Sequence, residues 1–147
     1  MLRYFDSTGL VKALVRQERG HGEAASLLSE PGRKGLSFAT ARIAALEALS
    51  KVWRVTRDRG ELKKLECHFD KFALYELDVD YALARDLVLK MGLKGADAGI
   101  LAVAAGVSRR ERILVQFISA DQNQIRAARA LARHDRIRVV SLPAGLE

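Results

Sequence analysis

The sequence predicts an α/β domain in which a parallel sheet is covered by helices on both faces. Three observations carry this. Apolar runs of four to six residues recur along the chain, and segments with apolar residues at helical spacing separate them. Strands covered on both sides read as continuous apolar runs rather than alternating ones. The length, 147 residues, fits one domain spanning 1–147, large enough to bury about 68–70% of its unfolded surface without staples.

The elements follow in order. Leu2–Phe5 is the first apolar run and ends at Asp6. Ser7–Gln17 carries Leu10, Val11, Leu14 and Val15 at helical spacing. His21–Glu30 carries Ala24, Ala25, Leu27 and Leu28, and Pro31-Gly32 stops it. Gly35–Phe38 is the second strand. Thr40 to about Arg59 is a long helix, with Ile43, Leu46, Leu49 and Trp53 as its apolar stripe. Glu61–Phe69 is helical and Leu74–Leu77 is the next strand. Val79–Met91 and Ala96–Val107 are helices, separated by Gly92 and Gly95. Ile113–Ile118, β-branched and apolar, is the clearest strand. Gln122–Arg133 is the last helix and Ile137–Val140 the last strand.

Composition narrows the function. Lys plus Arg number 25 against 18 acids, a net charge of +7, which favours a polyanionic partner such as nucleic acid or a membrane surface. The excess is uneven: residues 1–60 hold 11 basic against 6 acidic residues, 61–99 hold 6 against 8, and 100–147 hold 8 against 4. Arg109, Arg110 and Arg112 precede the fourth strand. Arg126, Arg129 and Arg133 share one helix face and fit either an RNA track or a solvated basic surface. The single cysteine, Cys67, excludes an intramolecular disulfide and a Cys-based zinc site, and is expected to be a small buried apolar residue. Three histidines without metal-site spacing disfavour a zinc protease or a histidine-based nuclease. The longest strongly apolar stretch, Ala98–Val107, is too short to span a bilayer, and the first residues lack a secretory signal. A cytoplasmic protein is expected. Trp53, Phe69 and Phe72 are expected in the core or a dimer contact rather than as base-stacking platforms.

Four acids need explaining. In parallel α/β folds the functional cleft lies beyond the carboxyl ends of the strands. Asp6 and Asp121 both follow predicted strands. Each also suits a helix N-cap, and Asp121 with Gln124 resembles a capping box. Glu47 and Asp97 lie within apolar helical patterns. A Glu47–Lys51 pair or a favourable first-turn position for Asp97 would explain them individually. Together, four converging carboxylates would repel unless a cation neutralised them, and all-oxygen ligation selects Mg²⁺ or Mn²⁺. A basic protein with an acidic metal centre suggests phosphodiester hydrolysis.

At these residues the chain resembles PIN-domain ribonucleases, specifically the VapC-like toxins of toxin–antitoxin pairs. Tyr4-Phe5-Asp6-Ser7-Thr8-Gly9 resembles the family's opening strand, acid and Ser/Thr turn. Thr40-Ala41-Arg42-Ile43-Ala44-Ala45-Leu46-Glu47 resembles its central helix. Leu93-Lys94-Gly95-Ala96-Asp97 and Phe117-Ile118-Ser119-Ala120-Asp121 resemble the segments bearing the third and fourth acids. The resemblance implies a three-layer α/β/α sandwich with a five-stranded parallel sheet and Mg²⁺- or Mn²⁺-dependent cleavage of single-stranded RNA leaving a 5′-phosphate. It implies Asp6, Glu47, Asp97 and Asp121 as the catalytic, metal-holding acids, with Ser7 or Thr8 in support. It also implies a homodimer and a cognate VapB-like antitoxin. Gly99 and Ile100 depart from the pattern: many relatives carry a larger apolar residue and a histidine there.

Two other classes fit parts of the sequence. A non-catalytic RNA- or protein-binding module could use the same scaffold without metal. A phosphorylation-switch receiver would use Asp78, after Leu74–Leu77, as phosphoacceptor, but no lysine follows Ile137–Val140.

Overall fold

A computed structural model describes residues 1–29 and 35–144. Glu30 and the Pro31-Gly32 stop lie outside the described residues. The elements run β1 (Leu2–Phe5), α1 (Ser7–Leu14), α2 (His21–Leu28), β2 (Ser37–Ala41), α3 (Arg42–Thr56), α4 (Arg59–Phe69), β3 (Phe72–Tyr75), a 3₁₀ turn (Asp78–Asp80), α5 (Tyr81–Met91), α6 (Gly95–Glu111), β4 (Val115–Ser119), α7 (Gln122–Leu131) and β5 (Ile137–Ser141). Every strand and helix expected from the sequence is present.

The five strands form one sheet in the order β3-β2-β1-β4-β5, and every pairing is parallel. Successive residues point to opposite faces. Leu2 and Tyr4 enter one core with Phe117, Ala102, Leu87 and Ala128. Phe5 enters the other with Ile118, Leu10, Phe38 and Val52. Helices α1–α4 therefore supply one outer layer and α5–α7 the other, giving the three-layer α/β/α sandwich. Among the described residues no helix is long and apolar enough to cross a membrane.

Two glycines permit close approaches, one at the carboxyl edge of the sheet and one at a buried ion pair. A Cβ on Gly9 would stand 2.8 Å from the Ile118 carbonyl oxygen, so only glycine lets α1 begin against the end of β4. A Cβ on Gly106 would stand 1.9 Å from Asp80 Oδ1. That gap admits the buried Asp80, which pairs with Arg110 through two bonds of 2.6 and 3.2 Å and ties the 3₁₀ turn to α6.

Several expectations need correction. β2 and β3 lie at 37–41 and 72–75 rather than 35–38 and 74–77. Aromatic packing decides this: Phe72 stacks on Phe38 with centroids 5.6 Å apart and lies 5.8 Å from Phe5, and Thr40 Oγ1 donates to the Phe5 carbonyl at 2.6 Å. Helix α3 buries Ala44, Ala45, Ala48 and Val52, whereas Ile43 is 43% and Leu46 63% exposed. The small residues allow close approach to α1 and the sheet, and the larger ones turn outward. Cys67 is exposed, not buried. Phe69 and Phe72 pack against the second core, while Trp53 is half-buried beneath Arg57 at 5.5 Å. The receiver reading fails on topology. It needs a phosphoacceptor after a central strand, and Asp78 follows the edge strand β3.

Candidate active site

The chain crosses the sheet between β3 and β4, so the switch point falls between β1 and β4. Open α/β sheets bind ligands beyond the strand ends at such a point. Asp6 and Asp121 stand there, one after each strand.

Asp6 is fully buried. It caps α1: Oδ1 accepts from Gly9 N at 2.8 Å and from Thr8 Oγ1 at 2.7 Å. Ser119 Oγ donates to Oδ2. Both hydroxyls are themselves held, Thr8 Oγ1 by Ala120 N at 2.8 Å and Ser119 Oγ by Asp121 N at 3.0 Å. Three donors against about four lone-pair sites leave Asp6 one acceptor position, on Oδ2. Burial raises its pKa to about 6 against the opposing effect of the Ser119, Gly9 and Thr8 bonds, with the Asp121 charge adding to the rise.

Asp121 caps α7, accepting from Asn123 N at 2.9 Å and Gln124 N at 3.0 Å. The reciprocal half of the capping box is absent. Ser119 Oγ occupies the Asp121 N–H, and Gln124 Nε2 instead donates to Asp97 Oδ1 at 3.1 Å. Asp97 opens α6 in its first turn. Burial raises its pKa, the Asp121 charge adds to this, and Gln124 and Lys94 oppose it. Glu47, half-buried on α3, is raised by burial first and by the Asp97 charge second, while Ser7 favours its ionised form. Its Oε1 is buried with no hydrogen-bond partner, so the Glu47–Lys51 pair does not account for it.

The four acids, drawn from the ends of β1 and β4 and from α3 and α6, are thus linked in series, Asp6 to Asp121, Asp121 to Asp97 and Asp97 to Glu47. Ser7 lies beside Glu47 and Thr8 beside Asp6. Ser119 and Gln124 join the network although the sequence marked neither as a site residue. A polar residue ending an apolar strand and a glutamine at the third helical position were the only signals, and the second reads as a cap.

The donor set is oxygen throughout, which suits a hard divalent cation, and the orphaned Glu47 Oε1 fits the same role. Among the described residues, no three His, Cys, Asp or Glu side chains are already gathered as a ligand group. Asp6, Asp97 and Asp121 are each held by their own donors.

Helix α7 ends at Leu131 rather than Arg133, so Arg126 and Arg129 lie on the helix that Asp121 caps and Arg133 lies just beyond its end; the three line a groove of about 460 Å³ with Met91 and Ile125. Two other arginines are committed to the fold: Arg109 binds Asp135 at 2.7 and 3.0 Å, and Arg110 binds Asp80. A Cβ on Gly99 would stand 3.6 Å from the Leu77 methyl carbons, an ordinary contact distance. Ile100 is buried core, and its carbonyl accepts from Tyr4 Oη at 2.7 Å.

Fold and site together define a three-layer α/β/α protein with an acidic mouth at the carboxyl edge of its sheet. Solved structures show this architecture to be the PIN-domain fold of the VapC toxins. VapC20 from Mycobacterium tuberculosis, a sarcin-ricin loop cleaving toxin, superposes with a TM-score of 0.66 at 15% identity, over 85% of this chain and 94% of its own. A chain of VapBC-1 from nontypeable Haemophilus influenzae gives 0.63 at 10% identity, over 96% and 98%. A chain of VapBC2 from Rickettsia felis, solved with promoter DNA, gives 0.62 at 14% identity, over 97% and 99%. No protein-family model and no curated protein sequence matches the chain.

Proposed function

We propose that this protein is a Mg²⁺- or Mn²⁺-dependent endoribonuclease that cleaves single-stranded RNA, working in the cytoplasm as the toxin of a toxin–antitoxin pair. The observation that carries this is the buried, unpartnered Glu47 Oε1 among three further carboxylates at the switch point of a PIN fold. The structural likeness to VapC20 and to VapBC toxin–antitoxin structures supports the substrate class and a VapB-like antitoxin partner.

Asp6, Glu47, Asp97 and Asp121 would hold the cation. When bound, it would polarise a phosphate oxygen and lower the pKa of the attacking water. Glu47 Oε1 has no competing donor and a raised pKa, so it can accept that water's proton. Thr8 and Ser119 hold the Asp6 carboxylate, leaving Oδ2 one lone pair to offer. Purified protein should cut single-stranded RNA with Mn²⁺ and stop after EDTA. Cleavage that survives EDTA overturns this reading, and a chain that binds neither Mn²⁺ nor cleaves RNA is the non-catalytic module.

The Arg126, Arg129 and Arg133 face would carry the RNA backbone away from the acids. The plot of log affinity against log salt should lose about 1.4 in slope in Arg126→Ala/Arg129→Ala, at about 0.7 per single-strand phosphate contact. An unchanged slope assigns these residues to a solvated surface. The exposed apolar residues Ile43 and Leu46 on α3 would lie in a homodimer face. Light scattering should therefore give twice the 16.2 kDa chain mass, and a monomeric mass removes the dimer.

A further inference from the structure

We infer that Gln124 is a positioning residue of the acidic centre, holding Asp97 in place for the cation. This rests on the metal-dependent reading above. Gln124 is 1% exposed. Its Nε2 donates to Asp97 Oδ1 at 3.1 Å, and its backbone N donates to Asp121 Oδ1 at 3.0 Å. One residue therefore links the acid that opens α6 with the acid that follows β4.

The sequence context would send this side chain elsewhere. In a capping box a glutamine three residues after the cap bonds to the cap's backbone N–H. Here Ser119 Oγ accepts that N–H at 3.0 Å, which releases the amide toward Asp97. Asp97 and Asp121 repel each other, and the donated N–H keeps Asp97 from swinging to solvent. The other half of the amide points to the same role. Gln124 Oε1 is buried without a hydrogen-bond partner, as is Glu47 Oε1. An unpaired amide oxygen disfavours the folded state, and a methionine of similar length would fill the space without that penalty. Polar oxygens left open in an acidic cluster suit donors that arrive with a ligand, such as water on a bound cation. Hydrogen-bond partners of metal-holding carboxylates commonly change metal affinity 10–100-fold.

The test titrates Mn²⁺ into metal-free protein by calorimetry, alongside thermal melts and RNA cleavage. Gln124→Met should melt, metal-free, near the wild-type temperature, because removal of the orphaned oxygen offsets loss of the bond to Asp97. Its Mn²⁺ affinity should fall by about 10–100-fold, and excess Mn²⁺ should restore its cleavage rate. Gln124→Asn keeps the amide but is one methylene too short to reach Asp97, so it should show the same loss and stands in if Gln124→Met misfolds. Mn²⁺ affinity within about twofold of wild type in the folded variant overturns the positioning role. A cleavage defect that excess Mn²⁺ does not correct also overturns it. A wild-type protein that binds no Mn²⁺ brings down the metal-dependent reading itself, and is told apart because the variant comparison then has no starting affinity.

Discussion

Asp97→Asn should lower kcat/KM for RNA cleavage by about a thousandfold or more while leaving the chain folded. Asparagine keeps an oxygen that accepts from Gln124 Nε2, so the 3.1 Å contact survives. The residue is half-buried in the first turn of α6, where losing the charge costs about 0.3–1 kcal/mol of helix-dipole interaction. Relief of repulsion from Asp121 and Glu47 offsets this, so the melting temperature should barely move. What disappears is one negative charge where the attacked phosphate and its cation would meet. The assay compares cleavage rates at saturating Mn²⁺ with metal-free melting curves. Activity within about tenfold of wild type, with the fold intact, would remove Asp97 from the catalytic set.

The metal-free protein should lose stability as pH rises from about 4 to 6, and Asp6→Asn should remove most of that loss, the remainder coming from the raised Glu47 and Asp97. Asp6 has an ordinary pKa of 3.8 and titrates near 6 in the folded chain. Well below pH 3.8 it is protonated in both states. Between the two values the unfolded chain releases the proton and the folded chain keeps it, so folding weakens as pH climbs. Above the folded value the difference stays constant. At about 1.4 kcal/mol per pKa unit, the gap between 3.8 and about 6 amounts to about 3 kcal/mol. In a chain of this length about 3 kcal/mol corresponds to about 6–12 °C in melting temperature. Asparagine gives up the ionic character of the bonds from Thr8, Gly9 and Ser119, so the gain at pH 7 should be at most this large. Melting curves in EDTA between pH 4 and 7.5 measure it. A wild-type melting temperature that rises through this window would contradict the burial of a reluctant carboxylate. Cation binding would favour the ionised carboxylate and release the proton, so the stabilising effect of Mn²⁺ should grow over the same pH range.

Such a carboxylate lowers stability in the absence of a ligand. Asp6 would be easier to fold as a neutral cap, and nothing in α1 requires the charge. On the metal-dependent reading proposed above, its cost in the fold and its place at the switch point would both serve a ligand that brings positive charge.

Much of this was readable along the chain. Apolar runs ending at Asp6 and just before Asp121 located both strand ends. The parallel rule then located the mouth, because a strand buried on both faces exposes chemistry only at its end. The acids at 47 and 97 stood out as charges within apolar helical patterns. The shifted β2 and β3 were hidden because local propensity does not register that Phe72 must reach both Phe38 and Phe5. The buried face of α3 was hidden for a related reason. Periodicity ranks the large apolar residues highest, yet Ala44, Ala45 and Ala48 go inward because a close-packed neighbour selects small volume over hydrophobicity.

By itself, the sequence determined the alternation of strands and helices, the parallel sheet and the two acids that follow its strand ends, since these depend on periodicity and on chain order, and the family resemblance joined Glu47 and Asp97 to them. Only the tertiary structure decided which groups hold those acids. Ser119 lies 113 residues from Asp6, and Gln124 lies 27 from Asp97. Hydrogen bonds over such separations depend on how the sheet brings β1 beside β4 and on how α7 packs near α6. The same packing turns an ordinary cap into a buried carboxylate with a raised pKa, because desolvation is a property of everything that surrounds a group.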